Sequence, residues 1–353
     1  MKVMVMAGGT GGHVYPALAV AHELKRRGHE VVWMGAPESF EARVVPAQGF
    51  PIEFVRVSGL RGKGLVKLLL APLLIARAML DAWAALRRCN PDVVLGMGGF
   101  AAGPGGLVAR LWDVPLVIHE QNAAAGLTNR WLARIAQRVL EAFPGTFAGA
   151  TTVGNPVRSA IQDVAAPETR LAARQGPAQV LVIGGSQGAR ALNERVAEAL
   201  ALLSPAERPE VWHQAGRTLE IAQAAYRRAG VDATIDPFIE DMAGAYAWAD
   251  LIVCRAGAST IAELAAAGCA AVLVPFPAAV DDHQTRNAAH LVRAGAAVLI
   301  PESELTAQKL AGTLRALLTD RARLREMAQA ARARAWTGAE RKIADAVIAA
   351  AAP

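Results

Sequence analysis

Twice along this chain a short apolar run breaks into a cluster of glycines and then resumes as an Ala/Leu-rich segment. Lys2-Val3-Met4-Val5-Met6-Ala7 leads into Gly8-Gly9-Thr10-Gly11-Gly12, and Val180-Leu181-Val182-Ile183 leads into Gly184-Gly185-Ser186-Gln187-Gly188. Each reads as a buried strand, a glycine turn and a helix, over 16–27 and 190–203 respectively. The echo continues: Pro91-Asp92-Val93-Val94-Leu95 precedes Gly96-Met97-Gly98-Gly99, and Ala249-Asp250-Leu251-Ile252-Val253-Cys254 precedes Arg255-Ala256-Gly257. A later strand in each half, 115–118 and 270–274, also ends in polar residues. Strand and helix in alternation mean a parallel sheet covered on both faces. The expected class is therefore α/β, with two Rossmann-like domains whose parallel sheets face one another across a cleft. The domains are expected at 1–160 and 161–340, with a polar, proline-containing hinge over 160–177. Residues 341–353 form a last helix for which packing back on the first domain is one option.

Composition narrows the class. Of 353 residues, 53% are hydrophobic and 19% charged, which excludes a disordered polyelectrolyte and a coiled coil. The most apolar stretch, Leu68 to Ala76, is too short to span a bilayer and contains Pro72. At the N-terminus only Val3 to Ala7 is apolar before the glycines, too little for a secretory signal. Cys89, Cys254 and Cys269 are odd in number and lack metal-ligand spacing, which fits a reducing cytoplasm. Charge is lopsided: residues 1–160 hold 17 Lys/Arg against 10 Asp/Glu, whereas 161–353 hold 20 against 21. A basic half suggests an anionic partner, or simply solubility.

In open α/β sheets, ligands lie beyond the carboxyl ends of the strands, so the glycine turns and strand ends are where chemistry is expected. Glycine at such a turn lets backbone N–H groups approach a phosphate at a helix N-terminus, although it also serves a tight turn alone. Gly96-Met97-Gly98-Gly99-Phe100-Ala101 satisfies a dinucleotide-binding variant but sits on a late strand, and no Walker A loop is present. His13 lies in or beside the first helical turn, where a neutral imidazole able to take a proton is favoured over simple capping or packing. His119-Glu120-Gln121-Asn122 closes a buried strand with four hydrogen-bonding side chains, some of which are expected to face a cleft. In the second half, Thr260 and Glu263 fit a capping box, or else exposed amides for a diphosphate with Glu263 on ribose hydroxyls. Arg255 at a buried strand end requires an anionic partner or exposure. Asp281-Asp282-His283-Gln284-Thr285-Arg286-Asn287 reads as a sugar-reading run or a solvated helix start. No carboxylate pair or His/Cys cluster supports a metal, so neither metal nor cofactor is expected.

These motifs, together with Gly154-Asn155-Pro156-Val157-Arg158, resemble the glycosyltransferases of the B-type fold, and most closely the peptidoglycan N-acetylglucosaminyltransferases that convert lipid I to lipid II. They occur in order along nearly the whole chain. Phe100 and Ala102 depart from the family, which often has Tyr and Ser there. The resemblance implies UDP-N-acetylglucosamine as donor, with Ser186 and Thr260 on the diphosphate, Glu263 on the ribose, and Gln284 with Asn122 on the sugar. Ile239 would border the uracil, Arg158 would hold the nucleotide, and Arg255 would stabilise the departing UDP. Ala258, Ser259, Ile261 and Ala262 complete the donor loop. Thr10, Gly11 and Gly12 would face the acceptor diphosphate or the donor sugar. The implied acceptor is undecaprenyl-diphosphate-N-acetylmuramyl-pentapeptide, attacking with inversion, and the general base is His13 or, second, Glu120.

A lipid acceptor implies a peripheral enzyme at the cytoplasmic face of the inner membrane. Leu65 to Leu86 carries Leu68, Leu69, Leu73, Leu74, Met79 and Trp83 among Lys63, Lys67, Arg77, Arg87 and Arg88. It reads as an interfacial anchor on an anionic leaflet or as a buried crossover helix. The alternative function is a UDP-N-acetylglucosamine 2-epimerase of the same design. Nucleic acid is not expected as a partner, because the basic residues lack interleaved aromatics.

Overall fold

A computed structural model describes residues 1–57, 71–172 and 174–352. The chain divides into two compact units, Met1–Pro156 with Gly338–Pro353, and Val157–Thr337. In the first, seven strands pair in parallel: β1 (Lys2–Met6), β2 (Glu30–Gly35), β3 (Ile52–Phe54), β4 (Val93–Gly96), β5 (Leu116–Glu120), β6 (Arg138–Glu141) and β7 (Thr151–Thr152). Their spatial order is β3-β2-β1-β4-β5-β6-β7. In the second unit six parallel strands, β8 (Gln179–Ile183), β9 (Glu210–Gln214), β10 (Thr234–Asp236), β11 (Leu251–Cys254), β12 (Ala270–Leu273) and β13 (Ala297–Leu299), lie in the order β10-β9-β8-β11-β12-β13. Both orders reverse beside the first strand of the unit, between β1 and β4 and between β8 and β11. That reversal is where a doubly wound sheet opens a crevice. The two Rossmann-like parallel sheets expected from the repeated strand–glycine–helix pattern are present.

Alternation along β1 shows why both faces of the sheet are covered. Val3 and Val5 point to one side with Val14, Leu18, Ile343 and Val347. Met4 and Met6 point to the other, with Met34, Leu86, Val94 and Ile118. The helix Ala339–Ala351 thus belongs to the first unit, packing on the helix Gly11–Arg26 and on β4 and β5. Arg27 pairs with its Asp345 at 2.5 Å. In the second unit Val180, Val182, Leu192, Val196, Leu251 and Val253 form the corresponding core.

The helix Ala71–Cys89 crosses from β3 to β4. Ala78, Ala82, Ala85, Leu86 and Cys89 are buried, while Leu73 (69% exposed), Ile75, Leu80 (66%) and Trp83 are not. The buried-crossover reading therefore holds for one face of the helix. Lys63, Leu65, Lys67, Leu68 and Leu69 lie outside the described residues. No helix among the described residues is long and apolar enough to cross a membrane.

Candidate active site

The first glycine turn leaves β1 and enters the helix Gly11–Arg26, with Thr10 as its cap but no side chain capping the first-turn N–H groups. Thr10 and Gly12 are exposed, and Gly11 and His13 half-buried. His13 sits in the first turn, and its Nδ1 lies 3.1 Å from the Gly8 carbonyl. A carbonyl oxygen only accepts, so Nδ1 carries a proton, and Nε2 is the ring nitrogen left to act as acceptor. The glycines after β4 explain themselves by packing. Both Gly98 and Gly99 have φ +92; a Cβ on Gly98 would lie 2.9 Å from the His13 ring and one on Gly99 2.6 Å from the Gly8 oxygen. The Gly8 N–H also donates to the Gly98 carbonyl at 3.3 Å. Two turns from adjacent strands are thus pressed together around His13, and the dinucleotide-like spacing after β4 serves that contact.

At the end of β5 the polar run turns inward. Glu120 is buried, and its carboxylate accepts from the N–H and Nδ2 of Asn122, the N–H of Gly126 and Nδ2 of Asn129, at 2.9–3.2 Å. It fastens the loop that carries Asn122, and sequence reasoning had no local signal for Asn129 as its partner. His119 donates from Nε2 to the Gly154 carbonyl, and burial lowers its pKa to about 4, so the ring is neutral. Gln121 donates to the Met97 carbonyl and Asn155 to the Gln121 carbonyl. Of these four residues, some of them expected to face a cleft, His119, Glu120 and Gln121 are buried polar struts between strand ends, and Asn122 is half-buried.

In the second unit the turns after β8 and β11 leave neighbouring strands, with Ile183 level with Cys254. Ser186 is exposed in the first of them. The helix Ala258–Ala267 begins at Gly257, whose extended backbone (φ −63, ψ 147) makes it the cap, and no side chain caps its first-turn N–H groups. Of the two readings of Thr260 and Glu263, the capping box is therefore absent: Thr260 is already helical, within the first turn. Ser259, Thr260 and Ala262 are half-buried, and Ala258 and Ile261 buried. Glu263 accepts from the Tyr246 hydroxyl at 2.8 Å and pairs with Arg158 at 3.4 Å. Burial pushes its carboxyl pKa up, opposed by Arg158 and by the Tyr246 hydrogen bond. Nothing near Tyr246 in the sequence marks it as the partner of Glu263.

Two further residues have partners within the second unit. Arg255 finds its anion inside the unit: it pairs with Glu302, donates to the Val274 and Pro275 carbonyls, and lies over the Phe276 ring. Its guanidinium holds the end of β12. Gln284 uses Oε1 to accept from the N–H groups of Ala256 and Phe276 at 3.2 and 2.9 Å, tying the ends of β11 and β12 together. Asp281 and Asp282 just before it hold left-handed backbone (φ 54 and 50), a strained approach of a kind that clusters at ligand sites. Ile239 is buried. Among the described residues no group of three His, Cys, Asp or Glu is placed to hold a metal.

Comparison with known proteins agrees with this architecture. A likeness of fold alone is seen with CalG4, the calicheamicin glycosyltransferase, at 20% identity and a TM-score of 0.70 over 99% of this chain and 98% of that one. The crystal structure of MurG from Acinetobacter baumannii matches with a TM-score of 0.88 and 44% identity over 99% of each chain. Proteins of Marinobacter nauticus (55% identical, 97% of this chain and 95% of that protein) and Nitrosococcus oceani (56%, 98% and 97%) bear the name UDP-N-acetylglucosamine--N-acetylmuramyl-(pentapeptide) pyrophosphoryl-undecaprenol N-acetylglucosamine transferase. The glycosyltransferase family 28 N-terminal domain matches residues 3–141 and the C-terminal domain of the same family residues 179–346. With both domains matched in order, the chain belongs to glycosyltransferase family 28.

Proposed function

We propose that this chain transfers N-acetylglucosamine from UDP-N-acetylglucosamine to the 4-hydroxyl of undecaprenyl-diphosphate-N-acetylmuramyl-pentapeptide, the step from lipid I to lipid II. The observation that carries the reading is identity of 55–56% along nearly the full length of transferases bearing that name. None of the relatives reported above bears an epimerase's name, so the epimerase alternative finds no support there.

The donor belongs to the second unit. The uncapped N–H groups of the helix Ala258–Ala267, with Ser186 in the neighbouring turn, receive the diphosphate; Thr260 stands in that first turn. Glu263 accepts from the ribose hydroxyls with Arg158 beside it, and the Gln284 amide is directed at the sugar. In the first unit His13 takes the proton of the acceptor hydroxyl on Nε2 as its oxygen bonds to the anomeric carbon. The bond to the β-phosphate oxygen breaks with inversion, and UDP leaves, its charge held by backbone amides. Glu120, with its carboxylate spent on four donors, positions the Asn122 loop instead of acting as base.

The lipid tail of the acceptor gives a use to the apolar side of the first unit. Trp83 and Trp112 stack edge to face at 5.9 Å on the adjoining helices Ala71–Cys89 and Ala102–Leu111. Leu73, Leu80 and Leu111 are exposed on the same two helices, and Arg87 lies over Trp83. Apolar side chains among arginines suit a protein lying on an anionic leaflet at its cytoplasmic face. The deciding experiment is transfer of radiolabelled N-acetylglucosamine to a lipid I analogue, with UDP-N-acetylmannosamine monitored in parallel. Label in disaccharide product supports the reading; epimer formed from donor alone overturns it.

A further inference from the structure

We propose that Glu41 is a positioning residue for His13, acting through the single peptide group that joins Gly8 to Gly9. This rests on the reading of His13 as the proton acceptor. Glu41 is 2% exposed, in the short helix Phe40–Ala47 that follows β2. Its Oε2 accepts from the Gly9 N–H at 3.0 Å and its Oε1 from the Ala36 N–H at 3.1 Å. The other end of that same peptide, the Gly8 carbonyl, accepts from His13 Nδ1 at 3.1 Å. Carboxylate, peptide and imidazole thus form one chain of hydrogen bonds, each polarising the next. The negative end fixes the peptide plane, the peptide fixes which ring nitrogen holds the proton, and Nε2 is left bare toward substrate. The logic is that of a carboxylate orienting a catalytic imidazole, with an amide inserted between them.

Two small residues make room for this arrangement. A Cβ on Gly8 would overlap the Glu41 carboxylate, and one on Gly35 would lie 2.7 Å from Glu41 Cγ. The Gly9 N–H, committed to Glu41, is also withdrawn from any anionic ligand. The carboxylate therefore shapes the turn rather than leaving it as an open phosphate cradle.

The test compares wild type, Glu41→Gln and Gly35→Ala, the last displacing the carboxylate without altering its charge or the glycine turn. The His13 tautomer is read from its ring 15N shifts, and kcat and KM for UDP-N-acetylglucosamine are measured on the same samples. The expected result is an Nδ1–H ring in wild type and a mixed tautomer in both variants, with kcat reduced about tenfold and KM within about twofold. An unchanged tautomer overturns the proposal, whether or not kcat falls. If the tautomer shifts but His13→Ala retains its rate, the role of His13 as base fails while the control of the ring by Glu41 stands.

Discussion

Tyr246 donates its phenolic hydrogen to Oε2 of Glu263 at 2.8 Å, from a ring that is 1% exposed. The pair reaches from the helix Met242–Trp248 to the helix Ala258–Ala267 and fixes one of the two oxygens that the proposed ribose contact uses. Tyr246→Phe keeps the packing and removes the donor. We expect the KM for UDP-N-acetylglucosamine to rise about fivefold, the effect of losing one hydrogen bond of about 1 kcal/mol, with kcat within about twofold. Steady-state kinetics with varied donor check this.

Glu263 also sets a pH dependence. Its carboxyl pKa is raised above 4.5 in the folded chain, chiefly by burial. Between 4.5 and the raised value the unfolded chain binds fewer protons than the folded one, so stability falls as pH rises through that window. Glu263→Gln removes the slope. Thermal melting should show the variant gaining on wild type as pH rises, while donor affinity, measured by calorimetry near neutral pH, falls.

His13 and Glu120 separate by different readouts. His13→Ala should keep UDP binding and the wild-type Tm yet lose about a hundredfold or more in kcat, the usual worth of a general base. Glu120→Gln places an amide N–H₂ where N–H donors converge from Asn122, Gly126 and Asn129. It should lower stability by about 2 kcal/mol, seen as a reduced denaturant midpoint. Equal loss of rate at unchanged stability in both variants would contradict this division of roles.

The apolar side of the first unit is testable on vesicles. Replacing exposed Leu73 and Leu80 with Ser should cut partitioning onto anionic vesicles by about tenfold or more, with the melting curve unchanged. Activity on a water-soluble, short-chain acceptor should stay the same. Raising salt should weaken binding further through Arg77 and Arg87, each worth about 1 kcal/mol near a charged surface.

What could be read from the sequence was local. The two parallel sheets were legible because strand, glycine turn and helix are contiguous, and central buried strands carry unbroken apolar runs such as Val180 to Ile183. Partners far apart in the chain were not. Glu302 lies 47 positions from Arg255, and nothing near Arg255 announces that its charge is already met. Glu41 belongs to none of the sequence motifs, and only the folded β1 and β2 ends bring Gly8 and Gly35 against it. Thr260 and Glu263 had the spacing of a capping box, but such a box requires a non-helical cap. Gly257 takes that conformation first, so the helix starts a turn earlier.

The helix Ala339–Ala351 closes the core of the unit that the chain began, burying Ile343, Ala344 and Val347 beside Val14 and Leu18. During synthesis the amino-terminal sheet must wait, with that apolar groove open to water, until some 180 residues of the other unit have emerged. Fully burying side chains such as Ile343 and Val347 is worth about 1.5–3 kcal/mol each, so the nascent unit is weakest while unfinished. That helix acts as a keystone, so the unit made first is finished only after the second has been made.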